Sequence, residues 1–239
     1  MFHPDGPSFL DLVGQALLST ERGYDLLAPK FDLTPFRTPD QVLAPMANAI
    51  GGPASIDDAL DVMCGTGAAM RWLRPLCRRR VVGIDFSAGM LEEATQRLPS
   101  APGTARVELD RGDVLEMTFD REFDVATCVS AFGHILERDQ PRLLGNVHRA
   151  LRPGGRFVFP TSEAPPVTSP WFWAANAFNA TMRLRNAVKK PPFIMYYLTM
   201  LWPEVEAKLD GTGFAVEARR GLLPKPFDHM LLIVATKRA

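Results

Sequence analysis

From Ala59 to Leu73 the chain reads Ala-Leu-Asp-Val-Met-Cys-Gly-Thr-Gly-Ala-Ala-Met-Arg-Trp-Leu, an order that few folds accommodate. An apolar run ends in an acid, turns through Gly-x-Gly and opens a helical pattern. Gly65 and Gly67 have no Cβ and tolerate positive φ, so a ligand can lie against this backbone. The helix that follows begins with unsatisfied N–H groups, which suit a carboxylate or phosphate. The next apolar run, Val81 to Ile84, ends in Asp85, 20 residues beyond Gly65. An acid at roughly that distance, about 20 residues, meets ribose hydroxyls in βαβ nucleotide sites. Alone, the turn would suit an ordinary strand-to-helix connection equally well.

The rest of the chain continues the alternation. Ser87 caps a helix that runs to Leu98, and Ala105 to Leu109 alternates as a strand. Phe123 to Val129 is a continuous apolar strand, buried on both faces. Asp139 caps a helix through Leu151, which Pro153-Gly154 ends, and Gly155 to Pro160 is the next strand. Strands separated by helices predict a parallel sheet of the α/β class.

Four stretches together carry a family resemblance. Leu60-Asp-Val-Met-Cys-Gly-Thr-Gly67 resembles motif I of the class I S-adenosylmethionine (SAM) dependent methyltransferases. Val82-Gly-Ile-Asp-Phe-Ser-Ala-Gly-Met-Leu91 resembles their second motif. Arg111-Gly-Asp-Val114 resembles the turn that holds the adenine, and Leu151-Arg-Pro-Gly-Gly-Arg-Phe-Val158 the Pro-Gly-Gly turn into strand five. Order and spacing match from about Ala59 to Phe159. The resemblance implies a Rossmann-like sandwich with a mostly parallel seven-stranded sheet, its last strand antiparallel between strands five and six. It also implies SAM as methyl donor, with S-adenosylhomocysteine as product.

By the same resemblance, Asp61 orders the methionine amino end, and Cys64, Gly65, Thr66 and Gly67 shape the loop. Asp85 binds the ribose hydroxyls, and Asp113, with Gly112 and Val114, receives the adenine. Phe86, Met90, Val129 and Ser130 complete the cofactor pocket. Met63 stands where the family commonly has a small residue, often Gly. Two rival readings fit less well. A dinucleotide fingerprint needs a third glycine where this chain has Met70, and a phosphate loop needs Gly-Lys-Ser/Thr after Gly67.

The chain's 239 residues fit one domain with insertions. Residues 1–55 read as an N-terminal helical segment, 56–160 with 203–239 as the cofactor-binding core, and 161–202 as a lid insertion. No internal repeat or low-complexity segment interrupts them. Net charge is zero, which disfavours nucleic acid as partner because such binding leaves a basic footprint. Asn-Pro-Pro-Tyr and Asp-Pro-Pro-Tyr turns, common in enzymes that methylate base amino groups, are missing. Cys64, Cys77 and Cys128 are odd in number and lie in or beside apolar runs, which points to a reducing, cytoplasmic setting. Cys64 reads as a small packing residue. The start of the chain lacks a basic leader, and the longest apolar stretch, Phe193 to Trp202, is too short for an integral membrane segment. No His, Cys, Asp or Glu cluster has metal-ligand spacing, so no metal is expected.

Ser8 to Thr20 reads as an amphipathic helix with Leu12, Val13, Ala16 and Leu17 inward, and Glu21 to Phe36 as a turn-rich connection. Within it, Tyr24-Asp resembles the Tyr-Asp segment before motif I in the ubiquinone and menaquinone methyltransferase group. That likeness implies that Tyr24 closes the methionine end of the pocket; a helix-packing tyrosine is the alternative. Thr38-Pro-Asp-Gln41 reads as a capping box, opening a helix that Gly51-Gly52 ends. In the lid, Ser169-Pro170 starts a helix with the stripe Trp171, Ala175, Phe178 and Met182, and Arg183, Arg185, Lys189 and Lys190 at its end. Trp171, Phe178, Tyr196 and Tyr197 are the candidate substrate-binding residues, a set that suits a small apolar or aromatic acceptor as well as simple packing.

Methyl transfer from a sulfonium needs chiefly an in-line approach within about 3–3.5 Å and exclusion of water. A base is required only where the acceptor must lose a proton. His134, just past the fourth strand, and His229, at the start of the last, are the catalytic candidates. His148 reads as packing, and His3 lies in the N-terminal tail. The expected activity is SAM-dependent methylation of a small molecule, with a homodimer allowed. Methylation of a membrane-soluble quinone or lipid precursor under a bilayer-resting lid, and SAM binding without catalysis, are the alternatives.

Overall fold

The computed structural model describes residues 4–238, so His3 lies outside the described residues. One seven-stranded sheet runs through the molecule in the order β3-β2-β1-β4-β5-β7-β6. Its strands are β1 (Ile56–Val62), β2 (Cys77–Asp85), β3 (Arg106–Arg111), β4 (Phe123–Thr127), β5 (Leu151–Ser162), β6 (Phe214–Arg219) and β7 (Met230–Lys237). Strand β7 is antiparallel to both β5 and β6, and β1 to β5 pair in parallel. The seven strands, mostly parallel, and the antiparallel last strand between β5 and β6 are those that the family resemblance implies.

Helices cover both faces because the strands are apolar on both. Alternate residues of β1 divide between two cores: Ala59 packs toward α3 (Asp40–Ile50), α4 (Ala68–Leu73) and α5 (Ala88–Arg97), and Leu60 and Val62 toward α6 (Gln140–Ala150) and α8 (Glu204–Asp210). Outside this sandwich lie α1 (Phe9–Ala16), α2 (Thr20–Leu27) and α7 (Pro170–Val188). The chain lays down β1, β2 and β3 in one direction, then returns to place β4 on the other flank of β1. That reversal opens a crevice at the carboxyl ends of β1 and β4, where ligands bind in such sheets.

The amino ends of the strands carry a charge cluster instead. Asp58 is buried and meets Arg79, Arg80 and Arg152. Beside it, Asp124 accepts from the backbone N–H groups of Asp57 (2.8 Å) and Asp58 (3.0 Å) and from Arg152 (2.6 Å). Burial raises the Asp124 pKa, but those donors and the Arg152 charge outweigh it and hold the carboxyl below its usual value. This depressed pKa supplies stability above the unfolded carboxyl value, lost as pH falls through the folded one. We expect Asp124→Ala to cost about 1–2 kcal/mol at pH 7, read as a lower urea midpoint, with the deficit shrinking as the pH approaches 3.

Four expectations about the N-terminal segment are corrected. The first helix stops at Ala16, and Glu21 to Phe36 contains a second helix, α2, followed by a 3₁₀ turn from Ala28 to Leu33. Val13 and Leu17 face solvent. The capping box at Thr38 does not form: Pro39 is the N-cap of α3, with no side-chain cap bond, and the Thr38 hydroxyl donates to Ser130 Oγ at 2.8 Å. The strand ending at Asp85 also begins earlier than its apolar run, because Arg78, Arg79 and Arg80 find carboxylate partners at the sheet's edge.

Candidate functional site

The loops after β1, β2 and β4 converge on a cavity of about 290 Å³. Each is shaped by its sequence. After β1, Met63 (φ 57°), Gly65 (φ 53°) and Gly67 (φ 82°) all adopt positive φ, which explains why a small residue suits position 63. A Cβ on Gly65 would meet nothing within 4 Å, so its backbone is bare toward the cavity. Gly67 lies deeper, where a Cβ would press on Leu98 at 2.9 Å. Ser130, after β4, is a further non-glycine residue with positive φ (56°). Such strain, about 1–3 kcal/mol per residue, gathers at ligand sites.

Two carboxylates sit in the cavity wall. Asp61 is buried, and its Oδ1 accepts from the Thr127 hydroxyl at 2.7 Å. Burial pushes its pKa up to about 7; the Thr127 bond opposes the rise and the nearby Asp85 charge adds to it. Asp85 accepts from the Gly65 and Ser87 backbone N–H groups, each at 2.9 Å. Burial raises its pKa as well, against the N–H groups of Ser87, Gly65 and Phe86. Among the described residues neither acid has a cationic partner. A wall with two uncompensated buried carboxylates calls for a ligand that brings donors or positive charge. Cys64 and Cys128 are thiols whose pKa burial pushes well up, which removes them as nucleophiles.

Helix α2 closes the cavity from above. Asp25 latches it to the start of α5, accepting from Ser87 Oγ (2.7 Å) and the Gly89 N–H (3.0 Å). The latch sets Tyr24 over Asp85, and the Tyr24 hydroxyl lies 2.8 Å from His134 Nε2. On the other side of the ring, His134 Nδ1 is 2.7 Å from the Ile194 carbonyl. A carbonyl only accepts, so Nδ1 carries the proton and Nε2 accepts from Tyr24. Burial lowers the His134 pKa, the Ile194 bond opposing it, and burial followed by the Asp85 and Tyr197 charges raises that of Tyr24. The resting pair is therefore neutral.

The remaining candidates divide. Tyr24, Asp61, Met63, Cys64, Gly65, Thr66, Asp85, Phe86, Met90, Val129, Ser130, His134 and Tyr197 line the cavity. Gly112, Asp113 and Val114 line an adjoining cleft that shares Met63, Phe86 and His134 with it. Tyr196 borders an outer groove, and Trp171 and Phe178 meet the Tyr197 ring edge-on, with centroids at 5.3 and 5.0 Å. His229 reaches the expected edge of the sheet but is exposed there, 3.0 Å from the Pro226 carbonyl and away from both cavities. His148 packs against Phe214.

Sequence reasoning missed Phe31, Phe36, Arg37, Thr38, Leu43 and Met195, which also line the cavity. Thr38 was visible only as a cap. Met195 belongs to a loop held by amide pairs: Asn179 bonds both the N–H and C=O of Tyr197, and Asn186 bonds those of Phe193. Two buried asparagines on the inner face of one helix are the trace this arrangement leaves in the sequence.

Residues 59–155 match the family model of a methyltransferase domain. The chain is 33% identical over 112 residues to a demethylmenaquinone methyltransferase of Symbiobacterium thermophilum, covering 46% of this chain and 44% of the relative. It is 34% identical over 139 residues to a 2-phytyl-1,4-naphthoquinone methyltransferase of a Nostoc species, covering 56% and 60%. The chain thus spans about half the length of the curated relatives it matches. In fold it is similar to DhpI solved as a complex with SAH, with a TM-score of 0.66 at 20% identity over 97% of this chain and 99% of that one.

Proposed function

We propose that this chain, whose residues 59–155 match the model of a methyltransferase domain, is a class I SAM-dependent methyltransferase that methylates a small, flat, apolar acceptor bearing an ionisable hydroxyl or activated carbon. The observation that carries the reading is the pair of uncompensated buried acids, Asp61 and Asp85, around a glycine backbone open to the cavity. They fit SAM, whose ammonium, ribose hydroxyls and sulfonium supply the donors and positive charge, and the arginine that lines the cavity, Arg37, is already paired with Asp32 and Asp40 rather than free for a phosphate. Asp61 holds the methionine ammonium, Asp85 the ribose hydroxyls, and Asp113 with Gly112 and Val114 the adenine edge in the adjoining cleft. When bound, SAM supplies a methyl group already activated on a cationic sulfur.

The chain's own residues then have three tasks. Tyr24, Phe31, Phe36 and Tyr197 give the acceptor an aromatic wall and exclude water. The loop from Phe193 to Tyr197, pinned to α7, roofs the site. His134 takes the acceptor's proton at Nε2, with Tyr24 yielding that nitrogen or passing the proton to it. Relatives named for quinone substrates support an aromatic acceptor of the quinol type.

The test is a thermal-shift titration with SAH. At a hundredfold excess over its dissociation constant the ligand adds about 2.7 kcal/mol to stability, roughly 5–11 °C at this length. The shift is expected in the wild type and should largely vanish in Asp85→Ala, measured from that variant's own apo baseline. A wild type that SAH fails to shift at the limit of its solubility would overturn the reading.

A further inference from the structure

Helix α7 presents a second apolar face, to solvent. Its inner face is accounted for by Ala175, Asn179, Met182 and Asn186, all buried. On the opposite side Trp173, Ala177, Ala180, Leu184 and Val188 recur every three or four residues. All are exposed, Trp173 at 64%, Leu184 at 68% and Val188 at 82%. An exposed apolar stripe of this length needs an occupant.

The surrounding charge selects the occupant. Between Glu163 and Glu204 lie 40 residues without an Asp or Glu, but with Arg183, Arg185, Lys189 and Lys190. The chain has 27 acids in 239 residues, so such a stretch would ordinarily contain several. None of the four bases pairs with a carboxylate among the described residues. Lys189 and Lys190 follow directly on Val188 and are exposed. Arg185 reaches the Leu18 carbonyl at 2.7 Å, tying the end of α7 to the corner between α1 and α2. There α1 exposes Phe9, Leu10, Val13 and Leu17, so a second apolar face begins where the first ends. No described helix is long and apolar enough to cross a membrane.

We propose that the outer face of α7 docks on an anionic lipid surface. The helix lies in the interface plane, with Trp173, Leu184 and Val188 at the acyl boundary and Lys189 and Lys190 among the phosphates. A second copy of the chain would cover the apolar stripe but would meet the same uncompensated bases. Docking on this side also anchors the roof of the cavity near the bilayer, through α7, since the inner face of α7 pins the loop from Phe193 to Tyr197. That consequence rests on the proposed acceptor class; the docking does not, and is read without cofactor.

The experiment is co-sedimentation with vesicles of phosphatidylcholine alone or mixed with phosphatidylglycerol. The wild type should partition into the mixed vesicles about tenfold or more above the neutral ones, and less as salt is added. L184E/V188E, at two solvent-facing sites, should lower partition by more than about tenfold while keeping the wild-type circular dichroism and Tm. K189A/K190A should remove only the preference for anionic vesicles. Wild type left in the supernatant with both vesicles would overturn the proposal, as would L184E/V188E binding as well as wild type. So would a wild-type dimer on gel filtration that L184E/V188E splits, since a second copy would then own the face.

Discussion

Asp61→Asn is expected to raise the melting temperature of the ligand-free protein at pH 8 by about 5–10 °C while weakening SAH binding by about 10–100-fold. Both effects follow from one buried carboxyl. Its pKa is pushed from an ordinary 3.8 to about 7, mainly by burial, with the Thr127 bond opposing and the Asp85 charge adding. The folded state thus holds this proton more tightly than the unfolded chain, so the contribution of Asp61 to stability is most favourable at low pH and declines as pH rises from about 4 to 7. At pH 8 the folded protein bears the whole cost, of the order of 2–4 kcal/mol. Asparagine keeps an oxygen for Thr127 and removes the charge, so the cost disappears. With it goes the proposed partner of the ligand's ammonium.

The same carboxyl predicts how wild-type affinity depends on pH. Below pH 7 the ligand must first displace a proton from Asp61, so the dissociation constant for SAH should rise about tenfold between pH 8 and pH 6. Titration calorimetry would show that slope in the wild type and a flat profile in Asp61→Asn. An SAH analogue lacking the amino group should give a flat profile with both proteins. A wild-type affinity independent of pH, or an Asn variant no more stable than wild type, would mean that Asp61 is not the ammonium's partner.

The parts of this molecule that could be read in advance are those written in short-range order. Gly65 and Asp85 lie 20 residues apart because one helix and one strand fill that interval, and the structure closes it with a 2.9 Å bond. The sheet was legible for the same reason: its central strands contain apolar runs bounded by their own caps or turns, and the edge strands β3 and β6 alternate. Helix α2 was not, because Gly23 and Pro29 look like breakers and what holds the helix is remote. Asp25 reaches Ser87, 62 residues away. The Tyr24–His134 contact spans 110 residues and the bond from His134 to Ile194 another 60; no spacing rule encodes such meetings. His229 shows the limit from the other side. Strand direction placed it at the correct edge, but whether a residue there turns inward depends on a loop, Gly221 to Asp228, whose conformation the pattern leaves open.

If the neutral Tyr24–His134 pair is the base, His134→Gln should reduce kcat by about 10²–10⁴-fold with a protic acceptor and leave SAH affinity nearly unchanged. The geometry fixes the direction of proton flow. Nδ1 is committed to the Ile194 carbonyl, so only Nε2 can receive a proton, and the Tyr24 hydroxyl already points at it. Because burial holds the imidazole pKa below 6.5, the base form is populated throughout neutral pH. At saturating SAM, kcat should therefore be flat from pH 7 upward and decline only on the acid side of the ordinary histidine value. Tyr24→Phe should cost about tenfold in kcat, since Nε2 stays available but loses its relay and its orientation. A role in packing alone would lower kcat for all acceptors alike. A role as base would not: with an acceptor already ionised at the assay pH, the His134→Gln deficit should shrink to less than about tenfold. A deficit equal for ionised and protonated acceptors, or an acid limb that survives in His134→Gln, would move the proton to another group and leave His134 as the strut beneath the roof loop.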